Sequence, residues 1–382
     1  MFSSLKIFFK RLLSHKDRGH QSDRVLIGVI FIFIIFGLIM LSSASTVVAY
    51  SLKGNSYYYF NHQLFGLFLG ILAFSFFSKV DYHFWKKYAF GFLVFSIFLL
   101  LLVFIPGLSA NYGKARSWIN LFGFSLQPSE FVKLSFLLYL AAWLETREKK
   151  LHDFSQGIIP FLAMLGLISF LIILQPDIGT LFIIAFISLV VYFIGGGRIS
   201  HILGIIIICS LMLVAMVYSR EYQMNRFKCL IDPNYDIYKT CYQIRQSLIA
   251  VGSGGLWGKG IGQSRQKFMY LPEVSGDSIF AIIAEEIGLI FSSCLIFMYF
   301  FLFWRGCKIA KYSPDVFGRI LAVGIVTWIL IQAILNIAGI INLIPMTGVP
   351  LPFISYGGSA ILSSLAAMGI LVNISKYTTK KI

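Results

Sequence analysis

The chain has 382 residues, of which 58% are hydrophobic, 16% aromatic and 13% charged. A soluble domain carries about 25% charged residues, so this composition excludes a soluble globular protein. The formal net charge of +16 does not signal nucleic-acid binding, because lysine and arginine sit mainly in short segments between apolar runs, where they set membrane topology.

Residues 1–24 form a polar, basic tail carrying Lys6, Lys10, Arg11, Lys16, Arg18 and Arg24, and residues 25–41 form the first apolar run. That run is longer than the apolar part of a secretion signal and many more follow, so it reads as an uncleaved helix. Further spans are predicted over residues 60–77, 88–105, 130–144, 157–174, 179–194 and 202–218. After a long polar stretch, three more are predicted over residues 277–304, 317–343 and 353–374. The expected fold class is all-α: a polytopic integral membrane protein of about ten transmembrane helices. One membrane domain covers residues 25–375, followed by a basic tail, residues 376–382. Lys79, Lys86 and Lys87, then Arg147, Lys149 and Lys150, then Arg305, Lys308 and Lys311, and finally Lys376 fall on the side of the basic N-terminus. The opposite short loops offer Lys53, Lys114 and Arg116. Both termini are therefore expected in the cytoplasm, and the large loop between helices 7 and 8, residues 219–276, outside.

The acidic residues are few enough to place. Asp17, Asp23, Asp81, Glu145, Glu148, Asp153 and Asp315 fall at cytoplasmic ends, where solvated surface charge is the default reading. On the outer side, Gln127-Pro128-Ser129-Glu130, Gln175-Pro176-Asp177 and Leu271-Pro272-Glu273 leading to Asp277 share a design. Each places a proline and a carboxylate at the outward start of a helix, where proline costs nothing and the helix dipole favours an anion. For Asp177 a capping role and a site role fit equally. Glu130 and Lys133 lie three apart on one helical face; they either satisfy each other or present Lys133 to an acidic ligand group. Asp277 stands where a glycine-rich loop meets an apolar run, and an ionisable group at that boundary is a functional candidate by default. Glu285 lies about 12 Å deeper on a helix and reads as a network acid.

The large outer loop contains no histidine, and His62 is the only histidine expected outside. A Ser-His-Asp triad and a histidine-rich zinc site are thereby excluded on that face, and a base acting there must be a carboxylate. Residues 252–260, Gly-Ser-Gly-Gly-Leu-Trp-Gly-Lys-Gly, look like a P-loop but fail the pattern at Ser253 and Gly260. A backbone nest for another phosphate and a set of plain flexible turns both remain open. Arg245, Lys259, Arg265 and Lys267 cluster in the same loop, and would suit either anionic lipid heads or a diphosphate. Trp118, Phe122, Trp257, Phe268 and Tyr270 look like interfacial aromatics. Cys229 and Cys241 share the loop, and a disulfide and two free thiols fit equally.

Taken together, Tyr242-Gln243, Gln246 to Ala250, Gly252 to Leu256, Ser264-Arg265-Gln266-Lys267, Tyr270-Leu271-Pro272-Glu273, Asp277 and Ala284-Glu285-Glu286 resemble the SEDS family. So do Pro352 to Ser359, Ala115 to Ile119, Gln127 to Glu130 with Lys133, and Gln175 to Thr180. The resemblance covers nearly the whole chain, and its wording is nearer the FtsW/SpoVE branch than the RodA branch. It implies a ten-helix peptidoglycan glycosyltransferase that polymerises lipid II on the outer face of the bacterial plasma membrane and releases polyprenyl diphosphate. The implied partners are lipid II, polyprenyl-diphosphate-linked glycan, a class B penicillin-binding transpeptidase, other division proteins and membrane lipids, with no nucleic acid. The family's essential aspartate falls on Asp277. Arg116, Glu130, Lys133, Asp177, Lys259, Arg265, Lys267 and Glu273 form the candidate substrate-binding set. Chemistry and family together imply a divalent cation (Mg or Mn), for which Asp277 is the candidate ligand, and no nucleotide or organic cofactor. One departure is evident: the family commonly has His-Thr before the aspartate and Phe after it, where this chain has Ser275-Gly276 and Ser278. A lipid II flippase and a non-catalytic scaffold for a transpeptidase are the rival readings.

Overall fold

The computed structural model describes residues 21–105, 109–112, 115–121, 124–219 and 221–380. Most of the basic N-terminal tail, Lys114, Phe122 and Lys381 lie outside the described residues. Every predicted span has its helix. In chain order these are α1 (Arg24–Lys53), α2 (Tyr58–Lys79), α3 (Tyr82–Leu102), α4 (Pro128–Thr146), α5 (Ile159–Leu174), α6 (Ile178–Ile194) and α7 (Ile199–Ser219). Two shorter helices, α8 (Glu221–Ile231) and α9 (Tyr242–Ser253), occupy the large loop. Then come α10 (Ile279–Lys311), α11 (Val316–Ile340) and α12 (Gly358–Ser375).

Seven of these are long and apolar enough to cross a membrane, α5 when the π-helical turn Phe154–Ile158 just before it is counted. Of the other three predicted spans, α6 and α7 have shorter apolar stretches, and α4 carries the buried pair Glu130 and Lys133.

Three departures from the predicted pattern matter. A small antiparallel sheet, β1 (Ser109–Tyr112), β2 (Ala115–Leu121) and β3 (Phe124–Leu126), stands between α3 and α4. Strand β3 is too short to leave a period-two signal, and β2, though seven residues long, does not alternate: Arg116-Ser117 and Trp118-Ile119 break the pattern. The last span begins at Gly358 rather than at residue 353, because Phe353 has φ 66° and turns the chain. And α10 begins at Ile279, with Asp277 outside it and Ser278 as its N-cap.

Glu148 and Asp153 are exposed as expected, but three acids at the basic face are not plain surface charges. Asp23 caps α1 through Val25 and Leu26 N–H, and pairs with Arg305 at 2.7 and 3.1 Å while nearly buried. Its own N–H donates to Ser375 Oγ, so the start of α1 is tied to the ends of α10 and α12. Asp81 and Asp315 likewise cap α3 and α11, satisfying N–H groups that a helix start leaves open. Helices α2 and α12 pack through small residues: a Cβ on Gly66 would lie 2.8 Å from Gly358 Cα, and one on Gly369 2.7 Å from Phe74 O.

The feature that organises the outer half is a break in α10. Gly288 has φ 76° and ψ −177°, a conformation open essentially to glycine alone. Residues 255–260 wedge against the break and saturate its backbone groups. Lys259 N–H donates to Glu285 O, Gly260 N–H to Glu286 O, Leu289 N–H to Gly255 O and Ile290 N–H to Leu256 O. The glycine-rich stretch is therefore neither a free turn nor a phosphate nest: it is the patch that lets a helix break inside a membrane protein without unpaired backbone. A Cβ on Gly288 would meet Gly258 N at 2.2 Å and Leu256 O at 2.6 Å. Gly288→Ala is accordingly expected to destabilise the protein by on the order of 1–3 kcal/mol from backbone strain alone, before the clash is counted. A melting curve in detergent unchanged from the parent's would refute this.

Candidate active site

Asp277 sits one residue ahead of the N-cap of α10, in a loop held from several sides. Asn336, on α11, donates to Asp277 O at 2.7 Å and to Val349 O at 2.8 Å. Ser355 Oγ donates to Gly276 O at 2.8 Å while accepting Leu351 N–H at 2.8 Å. Tyr356 N–H donates to Ser275 O at 2.8 Å. The Ser275–Gly276 pair is thus fixed through its carbonyls by the Pro352–Ser359 segment, which is how the loop stays ordered with no histidine before the aspartate.

The carboxylate itself has a polar but sparse first layer. Gln243 Nε2, from α9, lies 3.3 Å from Asp277 Oδ1 and 3.0 Å from Ser278 Oγ, and Ser278 Oγ lies 3.5 Å from Oδ1. On the other side Gly348 comes close enough that an added Cβ would stand 3.6 Å from Oδ2. Protein surrounds Asp277 on most sides while part of it stays accessible. That burial is the main force raising its pKa from 3.8 to about 7, reinforced by the charge of Glu273 and opposed by that of Arg226 and by the Ser278 hydroxyl. Glu273 is exposed, with φ 51°, and its carbonyl accepts the N–H groups of Gly276 and Ser278. Arg226, on α8, donates to Met346 O at 2.6 Å. A carboxyl group tuned near neutrality, partly open to solvent and already oriented by a neighbour, is equipped to accept a proton.

The other predicted residues divide into two groups. Asp177 caps α6 through Thr180 N–H at 3.0 Å and Thr180 Oγ1 at 2.8 Å, and Gln127 Nε2 lies 3.5 Å from it. Gly179, two residues on, packs against Thr347 and Val349, so α6 begins beside the loop that flanks Asp277. Arg265 is exposed. Arg116 falls on β2 with its side chain outside the described residues.

Three lysines are instead committed to carboxylates. Lys133 is fully buried and donates to Glu130 Oε1 and Gln332 Oε1, both at 2.7 Å, over the Trp328 ring at 4.9 Å. Lys259 pairs with Glu285 at 2.7 Å and Lys267 with Glu286 at 3.0 Å. Glu285 also receives Ser264 Oγ and the N–H groups of Arg265 and Gln266, and Glu286 receives Ser43 Oγ and Ser264 N–H. These two acids clamp residues 259–267 to the upper half of α10.

Sequence reasoning passed over Gln243, Asn336, Ser355 and Arg226. Asn336 and Gln332 were visible as amides four apart in an apolar run, a costly choice in a membrane helix. Gln243 and Ser355 stood inside quoted motifs without a role. Cys229 and Cys241, left open by spacing, are joined as a disulfide with Cα atoms 5.4 Å apart. Among the described residues no three His, Cys, Asp or Glu side chains gather into a metal cage. Magnesium takes one or two carboxylates from protein when phosphate oxygens and water complete its shell, and Asp277 and exposed Glu273 are the carboxylates nearest in sequence to such a position.

Apolar helices that hold a partly accessible carboxyl just ahead of α10 fit a membrane-embedded enzyme, with Asp277 as its candidate catalytic group. The chain belongs to the family described as "Cell cycle protein" (FTSW_RODA_SPOVE), which matches residues 23–380. It is 40% identical to stage V sporulation protein E of Bacillus subtilis, over 93% of this chain and 97% of the relative. It is 37% identical to a protein of Trichlorobacter lovleyi named "Probable peptidoglycan glycosyltransferase FtsW", over 95% and 96%. Among solved structures, a chain of a peptidoglycan synthase complex superposes with a TM-score of 0.76 over 92% of this chain and 97% of that one. The rod shape determining protein RodA of Thermus thermophilus gives 0.68 over 94% and 98%. Both are 24% identical and speak to the fold alone.

Proposed function

We propose that this protein is a peptidoglycan glycosyltransferase that polymerises lipid II into glycan strands and releases polyprenyl diphosphate. The observation that carries the reading is Asp277: a partly buried carboxyl held near neutrality, oriented by Gln243 and Ser278, in a chain whose relatives bear that activity in their names. Asp277 takes the proton of the acceptor sugar's C4 hydroxyl as that oxygen attacks C1 of the donor. The C1–O bond to the diphosphate breaks, and the electron pair leaves with it. A positioned base supplies typically 10²–10⁴-fold. Arg265 is exposed and therefore available to the diphosphate, and Arg116 stays the candidate that the resemblance names. Lys133, Lys259 and Lys267 act one step back, by holding the loops. A divalent cation arriving with the diphosphate would find Asp277 and Glu273 as ligands and would neutralise leaving-group charge.

The face bearing Asp277 is extracytoplasmic and both termini are cytoplasmic. The basic residues at the opposite face support this, as does a disulfide in the large loop, since such bonds persist in oxidising compartments. The proposed partner is a class B transpeptidase of the division or sporulation machinery. A flippase would present an unsatisfied charged site deep between its helices, whereas the deep charges here satisfy one another.

The test is to purify the protein with its transpeptidase, supply lipid II and Mg²⁺, and separate the products by size. Glycan ladders are expected. Transbilayer movement of lipid II in liposomes without polymer would favour the flippase, and an intact complex that yields neither would favour the scaffold.

A further inference from the structure

Two helices of the large loop reach toward Asp277, and a disulfide joins them. Helix α8 supplies Arg226, whose guanidinium holds Met346 O at 2.6 Å, two residues before the Gly348 that borders Asp277 Oδ2. Helix α9 supplies Gln243, which touches Asp277 and Ser278 directly. Cys229 lies three residues after Arg226, and Cys241 two residues before Gln243. The bond therefore stands between the two contacts.

Little else fixes their spacing. Helix α9 packs along α10, whereas α8 makes no comparable contact with α9 or α10. The connecting turn is largely solvated, with Tyr238 89% exposed, and is held by local bonds such as Lys228 Nζ to Tyr235 OH and Cys241 N–H to Asp236 O. Outside the disulfide, α8 is tied to the α11–α12 connection through Arg226 to Met346 O and Asn342 Nδ2 to Leu230 O at 3.3 Å. Both half-cystines are fully buried, so the bond is shielded from external reductant and acts as a fixed strut rather than a switch.

We propose that the Cys229–Cys241 disulfide is a positioning device for the reaction: it fixes α8 to α9 so that Arg226 and Gln243 approach Asp277 together, which makes both of them positioning residues. The inference rests on the polymerase reading above and adds to it how the base is held. Without the strut, the fold persists and the body of α9 stays on α10, but its first turn, which carries Gln243 just after the Cys241 N-cap, loses its anchor, and the carboxylate loses the fixed geometry on which its transfer of a proton depends.

The test is a kinetic cycle on the purified full-length complex with lipid II as substrate. It uses the parent, Cys229→Ala/Cys241→Ala, Gln243→Ala and the triple variant. The cysteine-free protein is expected to lose about tenfold in kcat with KM changed by less than about twofold, the pattern of a lost transition-state interaction. Gln243→Ala is expected to cost about tenfold in the parent and less than about threefold in the cysteine-free background, because coupled residues are not additive. Full kcat without the cysteines, or fully additive losses, overturns the proposal while leaving the polymerase reading intact. A parent complex that makes no polymer overturns both. Should the cysteine-free chain not elute as a single species, Gln243→Ala with the disulfide intact decides: kcat held within about twofold of the parent overturns the proposal.

Discussion

Asp277→Asn is expected to abolish polymerisation while leaving the protein folded and at least as heat-stable as the parent. The substitution keeps the shape of the side chain and its contact with Gln243, and removes the group that takes the proton. The loss in kcat is expected to be on the order of 10²–10⁴-fold, with lipid II binding little altered. The stability half of the prediction follows from linkage. The folded-state pKa of Asp277 is about 7 against an ordinary 3.8, so the folded protein holds this proton more tightly than the unfolded chain does. Its contribution is favourable below about pH 4 and is lost as pH rises to about 7. Above that the buried charge opposes folding, and the neutral amide removes the opposition. An inactive variant with an equal or higher melting temperature at pH 8 is the expected result; a lower one would mean that the activity loss reports damage rather than chemistry. In the parent, kcat/KM should climb tenfold per pH unit below about 7 and level off above it, since it reports the free enzyme's carboxyl and only the ionised form accepts a proton. A rate flat from pH 5 to pH 8 would sink the assignment.

The ten helices were legible because an apolar run of membrane length admits few other structures. Asp277 was legible for a local reason, being a carboxylate set where a polar loop meets an apolar helix. What surrounds it was not. The pairing of Lys259 with Glu285 spans 26 residues and that of Lys267 with Glu286 spans 19. Nothing local in the sequence says that lysines in a glycine-rich loop will be spent on acids inside the next helix rather than on a ligand. Gly288 looked like one more glycine in an apolar run. Its role appears only when residues 255–258 are placed against it, since the break and its patch are a single tertiary object. The strands before α4 failed for the opposite reason, a missing local signal: β3 has three residues, and the seven of β2, which carries Arg116, do not alternate.

Lys133 offers the sharpest separation between the two roles its sequence allowed. In the structure it joins α4 to α11 and, through Gln332, to the site, because Gln332 Nε2 holds Pro350 O at 2.9 Å in the segment that also presents Gly348 to Asp277. Lys133→Met would leave Glu130 buried, with only Ser363 Oγ at 3.2 Å for company. Breaking a buried pair from one side costs about 3–5 kcal/mol, because the remaining charge is uncompensated. Removing both charges together, as in Glu130→Gln/Lys133→Met, is expected to recover most of that stability. The kinetic outcome then distinguishes the readings. If Lys133 serves only to position the Gln332–Pro350 contact, the double variant should regain much of its polymerase rate along with its melting temperature. If Lys133 turns toward the substrate diphosphate during the reaction, stability should return while the rate stays low and KM for lipid II stays high. The present geometry favours the first outcome. Lys133 Nζ already has Glu130, Gln332 and the Trp328 ring around it, and turning toward an outside phosphate would cost both hydrogen bonds.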